Sequence, residues 1–271
     1  MTENAAGTTD DASVSAPREH FFRREGDLFV PTRRAVGPWN PNSLHGRVLA
    51  GLLARCLEEA YGDEAMLFTR LTVDMFRLPS LELIEVTTSV IREGNRIRVS
   101  DAVAVSEGSE IGRARAVQLR KAEAPENPVW KPAPWDAPKP EDAGRPRDSL
   151  SGMWDTWNLP RGELGQRRVW LRERHQLVEG EELTPFVRVA GCSDFASPLA
   201  NAGEHGLDYV NADITLYLHR LPVGEYIGFE VVSHESADGI AVGDTTVYDV
   251  EGAIGRSVVC AVVNRRMRPQ S

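Results

Sequence analysis

His45-Gly46 opens an apolar stretch with helical spacing, and the first amides of a helix carry partial positive charge. Such amides can hold a carbonyl oxygen while negative charge develops on it, so His45 and Gly46 are candidate substrate contacts. Gly46 has a plainer use as well, tight packing of a helix on a sheet. Asp213 stands directly before an apolar strand, Ile214 to Leu218. A carboxylate there is costly to bury unless it is paired or hydrogen-bonded. It is either a strand-end cap, the partner of an arginine, or a working group. His234 lies in Val231-Val232-Ser233-His234-Glu235-Ser236, at a strand end. An ordinary imidazole titrates near pH ~6.5 and can act as a base near neutrality, or it simply sits exposed at a turn. Asp194, in Cys192-Ser193-Asp194-Phe195, falls at or just past a second helix and is a turn residue or a further acid. Asp74 and Asp101 lie in strands and read as outward-facing, solvated residues. Arg92, Arg96 and Arg98 at one hairpin, and Arg265-Arg266 near the C-terminus, could meet phosphates or only solvent.

Other chemistries find less support in the residues. No G-x-S-x-G elbow supports a serine nucleophile. No Asp-x4-His spacing supports addition of water to an enoyl thioester. The three cysteines, Cys56, Cys192 and Cys260, show no CxxC spacing and are odd in number, which suggests neither a disulfide framework nor a zinc site. A reducing, cytoplasmic setting fits. Lys plus Arg number 31 against 40 Asp plus Glu, for a net charge of −9. That balance argues against a nucleic-acid partner, though a few local arginines suffice for a phosphorylated small ligand. The acidic N-terminus lacks the apolar segment of a signal peptide, and no apolar run approaches the ~18 residues of a membrane span.

The elements that must position these residues come in two copies. Phe76-Arg77-Leu78-Pro79 lies over His219-Arg220-Leu221-Pro222, and Ile111-Gly112-Arg113 over Ile254-Gly255-Arg256, both at an offset of 143. One offset over so long a block means one unit used twice. By that offset Asp213 falls on Arg70, so the fold does not dictate an acid there. In the first copy Leu44, Val48, Leu52 and Leu57 predict a helix over 43–61, capped by Asn42 or Ser43 and ended by Gly62-Asp63. It is apolar nearly all round and so must be buried. In the second, Thr184-Pro185 predicts the helix start. Alternation at Ile84–Val90, Ile97–Val105 and Ile240–Tyr248 predicts antiparallel strands, with turns at 92–95, 107–108 and 251–252. Residues 1–19 predict a disordered tail, 20–121 a first unit, 122–159 a proline-rich linker and 160–271 a second unit. One buried helix wrapped by a long antiparallel sheet, twice over, is an α+β double hot-dog.

That order, with LHGRVLAGLLARCLEEA, VDMFRLP, VIREGNRI, NADITLYLHR and YDVEGAIGRS, resembles the acyl-CoA thioesterase II family, its actinobacterial thioesterase-like branch in particular. The resemblance spans roughly residues 20–266. It implies a double hot-dog that hydrolyses acyl-CoA to fatty acid and CoA with an activated water. It implies no metal, and no cofactor beyond the CoA of the substrate. It also implies an Asp, a Thr and a Gln in the second unit. Asp213-Ile214-Thr215-Leu216-Tyr217-Leu218-His219-Arg220 matches the family's Asp motif. The Thr position falls on His234 and the Gln position on Cys260, two departures that motivate an alternative, a silent protein that binds an acyl-CoA or a similar lipid-like thioester. Related hot-dog enzymes carry His-Gly-Gly at the first helix, where this chain has His45-Gly46-Arg47, and some carry their acid on the helix, where this chain has Asp194. Such units also assemble into homo-oligomers.

Overall fold

The computed structural model describes residues 18–148, 154–163 and 166–264. The acidic stretch 1–17 and Arg265-Arg266 lie outside the described residues.

The first half begins with a hairpin, β1 (His20–Glu25) and β2 (Leu28–Pro31). Helix α1 (Gly46–Tyr61) follows, then β3 (Met66–Met75), β4 (Ile84–Arg92), β5 (Ile97–Ser106) and β6 (Ser109–Arg120). After a long connection come β7 (Arg147–Asp148), β8 (Trp154–Asn158), β9 (Arg168–Glu173) and β10 (Gln176–Val178). The second helical segment is α2 (Pro185–Cys192) and α3 (Ala196–Asn201), with Ser193–Phe195 as a 3-10 turn between them. A small hairpin, β11 (Ala202–Gly203) and β12 (Gly206–Leu207), leads to β13 (Tyr209–Asn211), β14 (Asp213–Leu218), β15 (Tyr226–Ala237), β16 (Ile240–Asp249) and β17 (Gly252–Val263).

Among the described residues one sheet runs β10-β1-β2-β4-β5-β6-β3-β14-β17-β16-β15-β9-β8-β7, with β13 beside β17. The order β2-β4-β5-β6-β3 of the first half is mirrored by β14-β17-β16-β15-β9 of the second. The halves meet at the antiparallel pair β3–β14. β10 belongs by sequence to the second half, yet it pairs in parallel with β1, His20 opposite Gln176 and Phe22 opposite Val178. The helices lie against one face, and a single apolar core including Leu49, Leu53, Val73, Phe186, Val189, Ile214 and Phe229 spans both halves. This is a double hot-dog.

Three details position the site. α1 starts three residues later than its apolar spacing predicts, because Ser43 and Leu44 are tied elsewhere. Gly37 N–H donates to the Ser43 carbonyl and Leu44 N–H to that of Pro79, which leaves His45 as the cap. The second helix is broken at Asp194 because Pro198, lacking an N–H, cannot bond the Asp194 carbonyl four residues back. The Ala196 N–H meets that carbonyl and also the Ser193 carbonyl, the latter bond closing a 3-10 turn. Lastly, Trp154–Asn158 is a strand although it lies within the predicted linker. Trp154 and Trp157 are three apart and so point to opposite faces. Trp157 joins Trp170 and Tyr248 on the outer face, where Trp135 of the connection stacks on Tyr248 at 4.0 Å between ring centroids. The connection is anchored further by Trp170 Nε1 donating to Pro138 O and Trp157 Nε1 to Gly144 O, at 2.9 and 3.0 Å.

Candidate active site

His45, Gly46 and Asp194 come together where the N-terminus of α1 meets the break between α2 and α3. His45 Nδ1 lies 3.4 Å from Asp194 Oδ2 and accepts from Arg47 N–H at 3.2 Å. One nitrogen serves both roles in turn, as acceptor when bare and as donor to the carboxylate when protonated. Both side chains are nearly buried, with 12% of His45 and 10% of Asp194 exposed. A Cβ on Gly46 would stand 2.9 Å from Met75 Sδ and 3.4 Å from Asp194 Oδ2, so the missing side chain lets the acid approach the helix end. The Gly46 N–H has no acceptor among the described residues and belongs to the first turn, where amides are not consumed by the helix.

Asn211 completes this group, and nothing in residue type or spacing pointed to it. Its Nδ2 donates to Asp194 Oδ1 at 3.0 Å and to the Asp213 carbonyl at 3.2 Å. The only signal available was its place two residues before the Asp motif. Burial by itself pushes the Asp194 carboxyl up, but His45, Asn211 and the charge of Arg47 outweigh burial and hold it below the usual carboxylate range. Asp194 is therefore ionised throughout the neutral range.

Asp213 does not share that space. Its Cα stands opposite Asp74, and directly opposed residues point to one face. Asp74 is exposed, whereas the next residue, Met75, reaches the helix side at Gly46. The Asp213 side chain therefore lies on the outer face. There Oδ1 accepts from Cys260 N–H at 2.6 Å, where the chain bulges between β13 and β14. Cys260 is exposed on this face, and burial together with Asp213 pushes its thiol up to about 11. His234 is remote from Asp213. β16 and β17 separate its strand from β14, a distance of about 14 Å at ~4.8 Å per strand. Its Nδ1 bonds Asn201 Oδ1 at 2.8 Å and its ring meets Tyr209 edge-on. The departures at His234 and Cys260 thus fall outside the His45–Asp194 group.

Asp101 is not solvated. It is 4% exposed and held by Arg115 through two bonds of 2.7 Å each. Arg98 is likewise committed, to Glu93 at 2.8 and 3.0 Å, while Arg92 and Arg96 are exposed.

Beside His45 lies a second unforeseen feature. Arg47 is buried in the apolar helix and ion-paired through Nη1 with Glu173. Burial raises the Glu173 carboxyl, but Arg47 and His175 more than reverse this and keep it low. Trp154 and Phe21 lie over the guanidinium, with centroids 4.2 and 4.6 Å from its central carbon. Nε and Nη2 find no acceptor among the described residues, at a cost of about 1–3 kcal/mol for each buried donor left bare. Arg47 lines a narrow cleft between α1 and α2, walled by Phe21, Val48, Leu177, Leu183 and Val187 together with the charged Glu173 and Arg188.

A family model for the acyl-CoA thioesterase C-terminal domain matches residues 111–263, more than half of the chain. The chain belongs to the acyl-CoA thioesterase family. Solved structures agree on the fold. A provisionally named thioesterase from Novosphingobium aromaticivorans is 19% identical with a TM-score of 0.71, covering 90% of this chain and 98% of its own. The tesB protein of Mycobacterium avium subsp. paratuberculosis is 15% identical with a TM-score of 0.67, covering 90% and 96%. An acyl-CoA thioesterase II from Mycobacterium marinum is 16% identical with a TM-score of 0.62, covering 92% and 96%. No curated protein matches this thioesterase-family chain in sequence at a significant level. No described helix is long and apolar enough to cross a membrane.

Proposed function

We propose that this chain hydrolyses acyl-CoA thioesters, in a reducing cytoplasm, with a water held at Asp194. The observation that carries the reading is the contact of His45, Gly46 and Asp194 at the head of α1. Family membership supports a thioester substrate, and the geometry supports this way of cleaving it. The thioester oxygen faces the Gly46 N–H and the positive end of α1, where developing negative charge is stabilised. Asp194, ionised and fixed by Asn211, orients a water against the carbonyl carbon. The water oxygen bonds to carbon as its proton passes to Asp194. The tetrahedral centre then expels the CoA sulfur, which takes that proton, directly or through His45, to leave fatty acid and CoA thiol. Asp213 is the competing acid, supported by its motif and weakened by its place on the outer face.

Free-thiol release from a panel of acyl-CoAs, measured with the native chain and with Asp194→Asn, tests the proposal. Release by the native chain that falls at least about 100-fold in Asp194→Asn is expected. Saturable binding with no release from any substrate would leave a silent acyl-CoA binder.

A further inference from the structure

We infer that the narrow cleft between α1 and α2 is a binding site for a single halide ion, chloride above all, held by Arg47 and Arg188. The inference does not depend on the thioesterase reading. Arg47 of α1 and Arg188 of α2 both line this cleft. Nε and Nη2 of Arg47 and Nε of Arg188 are buried, with no acceptor among the described residues. Arg47 is 2% exposed. The rings of Phe21 and Trp154 cover the faces of its guanidinium, so only the edge, where the N–H groups radiate, is left to a ligand. Buried donors in folded proteins are served almost without exception, and here two helices bring unserved ones to one cleft.

Size and charge name the ligand. The cleft has room for about one water molecule, which suits a monatomic ion and is too small for sulfate or phosphate. Part of that room comes from Gly191, where a Cβ would meet only the Arg47 carbonyl oxygen, at 3.8 Å. Two guanidinium groups stand against one carboxylate, that of Glu173, so the lining is cationic on balance. Glu173 is already engaged. It accepts from the Arg174 and His175 amides at 3.0 Å each and from Arg47 Nη1. Arg188 donates through Nη2 to the Leu183 carbonyl at 3.3 Å, and among the described residues it pairs with no carboxylate. A water in the cleft would have to donate as well as accept, yet the remaining walls, including Phe21, Val48, Leu177 and Val187, are apolar. A halide only accepts, and it supplies the missing negative charge. Its way in is the wider cleft that shares Glu173, Leu183 and Arg188 with this one and is bordered by charged residues of both signs. Once bound, the ion ties α2 to the turn of α1 that follows His45 and Gly46.

The test is the thermal midpoint of the native chain at fixed ionic strength, with sodium chloride replacing sodium gluconate in steps. The midpoint should rise by about 2–4 °C and then level off as one site fills. Bromide should act alike, whereas sulfate, too large for the cleft, should give no saturating rise. Arg188→Met removes one guanidinium, and Gly191→Ala puts a methyl into the cleft. Each should abolish the chloride-dependent rise, whatever it does to the midpoint in gluconate. A native midpoint indifferent to chloride, or a rise undiminished in either variant, would overturn the inference. If neither variant folds, crystals of the native chain grown in sodium bromide decide. An anomalous peak within hydrogen-bond reach of both Arg47 and Arg188 supports the site, and a cleft without that peak refutes it.

Discussion

The hydroxyl of Thr215 donates to that of Thr72 at 3.3 Å, across the strand pair that joins the halves, and the two threonines are 143 residues apart. That separation is the repeat offset, so a pseudo-two-fold axis passes between them. Every other pair on β3–β14 joins inequivalent positions, Asp213 with Asp74 and Tyr217 with Arg70. Ion pairs on the outer face follow the same axis. Arg256 bonds Asp244 at 2.7 Å, and the equivalent Arg113 stands 4.0 Å from Asp101. What breaks the symmetry is the helix. α1 is continuous, whereas its counterpart is interrupted at Asp194, which leaves that acid free to face the opposite half.

Asp194→Asn should lower kcat by about 10²–10⁴-fold with little change in KM. The fold should persist, since Asn keeps the shape and an oxygen for Asn211. Asp213→Asn should cost far less turnover, because Asp213 faces away from His45. Steady-state kinetics on both variants separates the two acids. A larger kcat loss in Asp213→Asn would move the attacking water to the outer face.

Two glycine substitutions should behave differently. A Cβ on Gly255 would lie 1.8 Å from the Tyr217 carbonyl oxygen, a backbone atom that cannot step aside. Gly255→Ala should destabilise the protein by on the order of 3 kcal/mol or more, read from urea unfolding. A Cβ on Gly46 would press first on Met75 Sδ, the flexible part of a side chain. Gly46→Ala should therefore fold, while kcat drops because the methyl, in contact with Asp194, takes space beside the Gly46 N–H. Full activity in Gly46→Ala would remove the helix end from the mechanism.

Stability should be lost in acid through three carboxylates. Burial raises Asp249, but Arg220 and the Val223 and Glu251 amides reverse this, and Asp194 and Glu173 are likewise held low. Their folded pKa values lie below the unfolded ones, so their contribution is complete above pH ~4 and is lost as pH falls through the folded values. Glu58 opposes them, since burial raises its carboxyl. The urea midpoint should decline below about pH 4, and Asp249→Asn should make the decline shallower. A midpoint rising toward pH 3 would contradict this.

Thiol reagents should act slowly and without effect on turnover. Burial pushes Cys56 to about 11 and Cys192 to about 12, and burial with Asp213 pushes Cys260 to about 11. All three are neutral thiols near pH 7, and only Cys260 is exposed. Ellman's reagent at pH 7.5 should titrate at most Cys260, and the modified protein should keep its kcat. Rapid inactivation blocked by acyl-CoA would place Cys260 within the site.

Much of the scaffold is legible in the sequence, because repeats, alternation and caps are local. Thr184 caps Pro185–Cys192 as its type and position predict, and the turn at 107–108 falls where Glu107-Gly108 adopts positive φ. What was hidden depends on partners far along the chain. Asp101 reads as solvated until Arg115 arrives from the next strand. Asn211 and Trp154 carry no signature of their own and matter only through Asp194 and Arg47. His45 and Asp194, by contrast, were both visible as candidates, but their meeting required the two halves to be folded on one another.

β10 has a consequence for how the chain can be divided. Residues 122–134 are exposed and are where a protease should cut, since Trp135 onward is docked on the second half. Yet a cut there would release nothing. Gln176 and Glu179 amides stay bonded to the carbonyls of Glu19 and Phe22, at 2.9 Å each, and the core runs through both pieces. The nicked protein would be an exchanged heterodimer whose first fragment is completed by a strand of the second. Either fragment made alone would present bare strand edges at β3 or β14 and invite pairing with the wrong neighbour. A gene split at the linker could work only if both products were made together.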